Sequence, residues 1–222
     1  MNSSLVIPLN TTAEQAARLE ALQTAFAEVC NALAPIVREK HCWHRVTLHH
    51  LTYHALRERF PRIGSQMICN AIYSVCRTSR QVYQHPRSPF NVAKHPDAPL
   101  PMIRFAPSAP VYFDRHTLSI KNGKLSMYTL DGRMRFQLDL KAEDLDRFQH
   151  EKLREIVLSK SARCYQLAFS FLATDETGEP REEAADASAE LPEYLIVLPE
   201  SDAAQTAAAK SMPRTPTDAL TA

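Results

Sequence analysis

Six polar residues stand at helical spacing along one stretch of the chain. Gln66, Asn70, Tyr73, Arg77, Arg80 and Gln84 follow one another at intervals of four, three, four, three and four residues. On an α-helix such intervals form one stripe. Amides and guanidinium groups bond base edges and phosphates, and a tyrosine ring stacks on bases. No acid interrupts the stripe, whereas an ordinary solvated face mixes acids with bases. Ile68, Ile72, Val75 and Val82 make the opposite, apolar stripe. The pattern predicts a helix over 65–83 with a core side and a nucleic-acid side. Charge reversal at Arg77 and Arg80 is expected to abolish binding and spare the fold.

Two further basic groups fit the same chemistry. Lys121, Lys124, Arg133 and Arg135 flank the turns Asn122-Gly123 and Asp131-Gly132 on alternating positions. Small β-barrels bind nucleic acid on such a face, although exposed strands also carry Lys and Arg against edge pairing. Arg57, Arg59 and Arg62 cluster where a second helix ends, which suits a helix C-terminus as well as phosphate.

Other constellations lead nowhere chemical. His41-Cys42-Trp43-His44, with His49 and His50, offers zinc-ligand types at a spacing that matches no standard site. It reads as a loop with Trp43 packed on helices. Cys30, Cys69 and Cys76 have no neighbouring base to activate a nucleophile. Asp144 and Asp146 sit in a helix's first turn, where acids favour the dipole. The sequence therefore predicts no catalytic residue, no metal and no cofactor, and a protein that is not an enzyme.

The elements that carry these residues follow from periodicity and punctuation. A short strand over 3–8 is closed by Pro8. Thr12 and Gln15 form a capping box for a helix to about Arg38, with Leu19, Leu22, Phe26, Leu33 and Ile36 inward. A second helix runs from about Thr47 to Arg59, with Leu48, Leu51 and Ala55 inward. Five prolines between 85 and 101 mark a linker or extended loop. The period then changes to two: strands at Val111–Phe113 and Leu118–Ile120, two hairpins, and a strand placing Met134, Phe136 and Leu138 opposite Arg133, Arg135 and Gln137. Residues 141–158 read as a helix, Tyr165–Leu172 as a buried strand, 174–193 as acidic disorder, and Tyr194–Leu198 as a last strand.

Composition bounds the rest. The chain has 222 residues, 45% hydrophobic and 23% charged, as in an ordinary globular protein. Four glycines form no phosphate-cradling motif. No apolar run reaches the ~18 residues of a membrane helix. Neither a signal peptide nor a paired-cysteine pattern is visible, so a cytoplasmic protein with reduced thiols is expected. The net charge of +1 conceals a basic block at 38–135, with 16 Lys+Arg against 5 Asp+Glu, and an acidic stretch at 166–222, with 3 against 11. A basic block followed by acid suggests a polyanion partner masked within the chain. Deleting 174–222 is accordingly expected to tighten polyanion binding.

Four stretches resemble the N-terminal half of the TnpB family, the RNA-guided nucleases of insertion sequences related to type V CRISPR effectors. They are Leu51-Thr52-Tyr53-His54-Ala55-Leu56-Arg57 with Phe60-Pro61; Ser65-Gln66-Met67-Ile68-Cys69-Asn70-Ala71-Ile72; Val111-Tyr112-Phe113-Asp114 leading through Leu118-Ser119-Ile120 to Gly123-Lys124-Leu125; and Thr129-Leu130-Asp131-Gly132-Arg133. Tyr165-Gln166-Leu167 stands where that family closes its barrel. The likeness spans about residues 1–173. It implies a wedge-type barrel, a helical recognition lobe, and binding of a guide-like RNA and its duplex with DNA. The likeness stops at the nuclease: Tyr194–Glu200 (YLIVLPE) lacks the family's first metal-binding Asp, few residues follow it, and zinc-binding CxxC pairs are absent.

The expected architecture is α+β: a small antiparallel, OB-like β-barrel (1–10 and 102–173) interrupted by a three-helix insertion (11–84), with a Pro-rich linker (85–101) and an acidic, disordered tail (174–222). The expected function is transposon-associated RNA or RNA–DNA heteroduplex binding without nuclease activity. The competing reading is a protein-interaction module, or one subunit of a split complex whose nuclease is another chain.

Overall fold

A computed structural model of the chain describes residues 3–121, 123–161, 164–172 and 191–198. Four helices and three antiparallel sheets make an α+β fold among these residues. The acidic stretch at 173–190 and the segment after 198 lie outside them.

The chain enters through strand β1 (Ser3–Leu9) and turns into helix α1 (Ala13–Lys40). The turn is fixed by the reciprocal box read from the sequence: Gln15 N–H donates to Thr12 Oγ1 at 3.2 Å, and Thr12 N–H to Gln15 Oε1 at 3.0 Å. Leu19, Leu22, Phe26 and Leu33 are buried as expected, with Val37 rather than the half-buried Ile36 continuing the stripe. The helix stops at His41, which takes the left-handed conformation with φ 47°.

Helix α2 (Arg45–Arg59) starts on His44, whose Nδ1 accepts from Thr47 N–H. Its buried seam is Leu48, Thr52 and Leu56, not Leu48, Leu51 and Ala55. Leu51 is 57% exposed. Thr52 can be buried because its hydroxyl donates to Leu48 O at 2.7 Å, which satisfies the polar group that would otherwise disfavour that face. Helix α3 (Ser65–Tyr83) has the predicted bounds. It packs against α1 and α2 on one side and against strand β3 (Val111–Phe113) on the other.

The Pro-rich stretch is irregular, yet it is tied down rather than a loose linker. Asn91 Nδ2 donates to Gln84 O and His85 O, each at 2.9 Å, and Ser88 Oγ donates to Val82 O. His85, Ser88 and Asn91 are buried. Prolines remove donors here, and side-chain amide and hydroxyl groups supply the missing bonds.

Strand β2 (Met102–Phe105) falls in no element read from the sequence. Asn31 of α1 docks it: Phe105 N–H donates to Asn31 Oδ1 at 2.8 Å and Asn31 Nδ2 donates back to Phe105 O at 2.9 Å. Its strand partner is β9 (Leu195–Leu198), pairing Met102 with Leu198 and Phe105 with Leu195.

The remaining strands are β4 (Leu118–Lys121), β5 (Lys124–Thr129), β6 (Gly132–Gln137), β7 (Lys152–Lys160) and β8 (Tyr165–Leu172). The main sheet has the order β1-β8-β7-β3, β2-β9 is a separate pair, and β4-β5-β6 is a meander. These described strands do not close into the expected barrel. Three of the expected barrel's strands pair only with each other, and β2 pairs across to β9.

The second half of the predicted 141–158 helix is also different. Helix α4 is only Ala142–His150, and β7 begins two residues later. Ile156 and Leu158 are buried in alternation, and Ile156-Val157 adds the β-branched pair that favours a strand. Phe148 of α4 packs edge-on against Phe169 and Phe171 of β8, at 5.0 and 5.3 Å between centroids. The helix-like spacing across 145–156 thus joins two elements that meet the same core.

Candidate nucleic-acid interface

Gln66, Tyr73 and Arg77 of the α3 polar stripe reach groups on the sheet side and not the solvent. Tyr73 Oη donates to Glu155 Oε1 at 2.9 Å. Arg77 Nη1 donates to Tyr112 Oη at 2.9 Å and to Glu155 Oε2 at 3.2 Å. Gln66 Nε2 donates to Asp114 Oδ2. Asn70 is buried, with its amide against Met67 Sδ, and Arg80 Nε donates to Cys76 O. Gln84 alone is exposed, at the helix's end. The acids missing from the stripe are supplied by the strand side: Asp114 just after β3 and Glu155 on β7. A stripe without acids therefore marks a polar seam between layers, with Gln66, Asn70, Tyr73 and Arg77 occupied inside the fold.

The seam perturbs its own groups. Burial, then the Glu155 charge and hydrogen bond, push the Tyr73 phenol up to about 12. Burial opposes the charge on Arg77, but Tyr112, Glu155 and Tyr73 together carry its pKa above the ordinary value. The guanidinium is fixed as a cation by its partners.

The arginines at the end of α2 divide in role. Arg57 Nη1 donates to Ile63 O and closes the turn into α3. Arg59 is exposed, its guanidinium 5.3 Å from the Phe60 ring centroid. Arg62 is 72% exposed and reaches Asp131 Oδ1, 3.4 Å away at the β5–β6 turn.

That contact leads to a cationic face on the meander. The meander turns tightly at Gly123 and Gly132, whose φ values of 71° and 92° suit glycine. Alternation buries Leu125, Met127, Met134 and Phe136 on its inner face. On its outer face Lys121 pairs with Lys124 and Lys124 with Gln137; Ser119 pairs with Ser126 and Ser126 with Arg135; Tyr128 pairs with Arg133. None of these outward positions is a carboxylate. Tyr128 is 44% exposed, and the Arg133 guanidinium lies 4.2 Å from its ring centroid. Arg133 also donates to Ser126 Oγ at 3.1 Å and to His116 O at 3.3 Å, which holds it flat on the sheet.

Lys121, Lys124, Arg133 and Arg135 thus share one exposed face with an aromatic ring. Exposed cations beside an aromatic ring are the residue types that single-strand binding surfaces combine. Tyr128 was not singled out from the sequence, although it stands at the same parity as Lys124 in one predicted strand. Arg18 of α1 was missed as well. It borders the platform through hydrogen bonds to Thr129 Oγ1 at 3.0 Å and Asp131 O at 3.3 Å. No local pattern links residue 18 to residue 129.

The remaining candidates take structural positions. Trp43 packs on Tyr83, 5.4 Å between centroids, and His49 stacks on Tyr53 at 4.7 Å. Among the described residues no group of three or more His, Cys, Asp and Glu side chains could hold a metal. Burial pushes the Cys76 thiol up to about 12 and raises Cys30 and Cys69 as well, which disfavours their thiolates. No described helix is long and apolar enough to cross a membrane.

Neither a family model nor a curated protein matches the chain.

Proposed function

We propose that this chain binds RNA, or an RNA–DNA duplex, on the outer face of the β4-β5-β6 meander, and does not cut it. One observation carries the reading: Arg133 pairs with the exposed Tyr128, and Arg135, Lys124 and Lys121 continue along the same face, which has no carboxylate among its outward positions. Arg62 and Arg18 extend the charge at the Asp131 turn. The order of motifs resembling the guide-binding half of transposon-encoded RNA-guided nucleases supports RNA as the ligand. β9 (Leu-Ile-Val-Leu) holds no acid where that family places its first metal-binding Asp, which supports binding without cleavage.

The test is purification of the full chain from its own host, at low and high salt, with sequencing of any nucleic acid that accompanies it. One dominant structured RNA is expected. Purification free of nucleic acid at both salts contradicts the reading.

A second reading has its own observation. Val46 and Leu51 of α2 are each 57% exposed. They favour a partner protein on that helix, as in a split complex whose nuclease is another chain. The two readings use different faces, so loss of one leaves the other standing.

A further inference from the structure

A cleft of about 400 Å³ opens beside the platform, between the α2–α3 turn, the start of α3, the β3–β4 turn and the end of β5. Leu22, Ile63, Met67 and Leu130 give it an apolar interior, and Arg62 and His116 stand among its lining groups at exposed positions. No carboxylate lines it. Tyr128 belongs to both surfaces: its ring lies against Arg133 on the outer face, and the residue is also among those that line the cleft. His116 links them again, because its carbonyl accepts from Arg133.

We infer that the cleft receives one nucleobase unstacked from the strand lying on the meander. The inference rests on the nucleic-acid reading and adds a site to it. An apolar interior of this size suits a flat aromatic group. The charge at the rim suits the phosphates that flank it. Arg62 can turn to a phosphate because its pair with Asp131 is long and exposed, and such pairs hold weakly. Ser65 and Gln66 add hydrogen-bonding groups to the lining; Gln66 is anchored through its Nε2 to Asp114. A base held there is continuous with one stacked on Tyr128, so the strand needs no break to use both.

The test uses the full chain and a short single-stranded RNA of about ten nucleotides, carrying one 4-thiouridine at each position in turn. Irradiation followed by trypsin and mass spectrometry locates the crosslinked peptide. One position is expected to crosslink to the Ile63–Arg77 peptide, with its neighbours crosslinking to meander peptides. Gly64→Phe is expected to abolish that crosslink and weaken RNA binding about tenfold, within the range for loss of one base stack. A side chain can leave the backbone there without a clash at its first atom, since a Cβ at Gly64 meets nothing within 4 Å. Crosslinks that at no position fall on Ile63–Arg77, or on Thr129 or Leu130 within the Leu125–Arg133 peptide as mapped by fragmentation, overturn the cleft and leave the platform intact. This outcome is read on the unaltered protein, so it does not depend on the variant's folding. Failure to retain RNA at about 50 mM salt overturns the platform reading, and the cleft with it.

Discussion

Arg77 Nη1 lies 3.2 Å from Glu155 Oε2 and joins α3 to β7 across 78 positions of sequence. The two side chains are only 32% and 13% exposed. Removing one partner from a withdrawn ion pair strands the other charge, at a cost of about 3–5 kcal/mol when fully buried. Arg77→Ala is therefore expected to lower stability by roughly 2–3 kcal/mol in urea unfolding, the partial exposure reducing the full cost. Arg77→Glu sets two carboxylates against each other and costs more. Loss of RNA binding in either variant would report a damaged fold, which reverses the expectation drawn from the stripe alone. An unchanged urea midpoint would contradict the seam.

Tyr73 makes the seam sensitive to alkali. Its folded pKa of about 12 lies above the ordinary 10, so the folded state holds a proton that the unfolded state has released. The corresponding stability is fully present below pH 10 and is lost as pH rises through 12. The urea midpoint should fall across that window, and Tyr73→Phe should flatten the fall. At neutral pH the same variant should cost about 1–2 kcal/mol, for a bond to a charged acceptor that Arg77 still partly satisfies. An equal alkaline slope in wild type and variant would assign the effect to other tyrosines.

Tyr128 separates stacking from charge. Tyr128→Ala is expected to weaken RNA binding about tenfold, while Tyr128→Phe stays near wild type, because the ring and not the hydroxyl stacks. Fluorescence anisotropy with a labelled single strand reads both. Equal affinity for the alanine variant would remove the ring from the site.

Seven carboxylates lie between Asp175 and Glu190, in the segment that joins β8 to β9. Deleting everything after residue 173 would also remove β9, the partner of β2, so deletion is a poor test of charge. Replacing the seven by Asn and Gln is the better one. RNA affinity should rise at low salt and converge with wild type at high salt, where screening removes long-range repulsion. Weaker binding would place the segment inside the site.

The helices were legible because their signals are local. Thr12 and Gln15 specify one end of α1, and the Ile68–Val82 spacing specifies α3 with its bounds. The hairpins were legible for the same reason, through Asn122-Gly123 and Asp131-Gly132. What failed was local reasoning about distant partners. The α3 stripe looked solvated because Asp114 and Glu155 arrive from far along the chain. β2 was invisible because four residues gain their strand character from Asn31 and β9. Leu153 and Ile156 matched a helical period while belonging to a strand, since Phe148 and β7 serve one core from two elements. The alternation around the two turns put Lys121, Lys124, Arg133 and Arg135 on a solvent face, and these four side chains are exposed. Their aromatic partner Tyr128 and the neighbouring Arg18 required the fold.

The salt dependence of RNA affinity decides between the meander face and every other surface of the protein. The logarithm of the binding constant should fall linearly with the logarithm of salt, with a slope of about −0.7 per phosphate contact on a single strand. Changing Lys121, Lys124 and Arg135 together to alanine should make that slope shallower by about 2 and weaken binding at every salt, with an unchanged unfolding midpoint. The same slope and affinity in the triple variant would contradict the account and move the ligand, or the function, to another face.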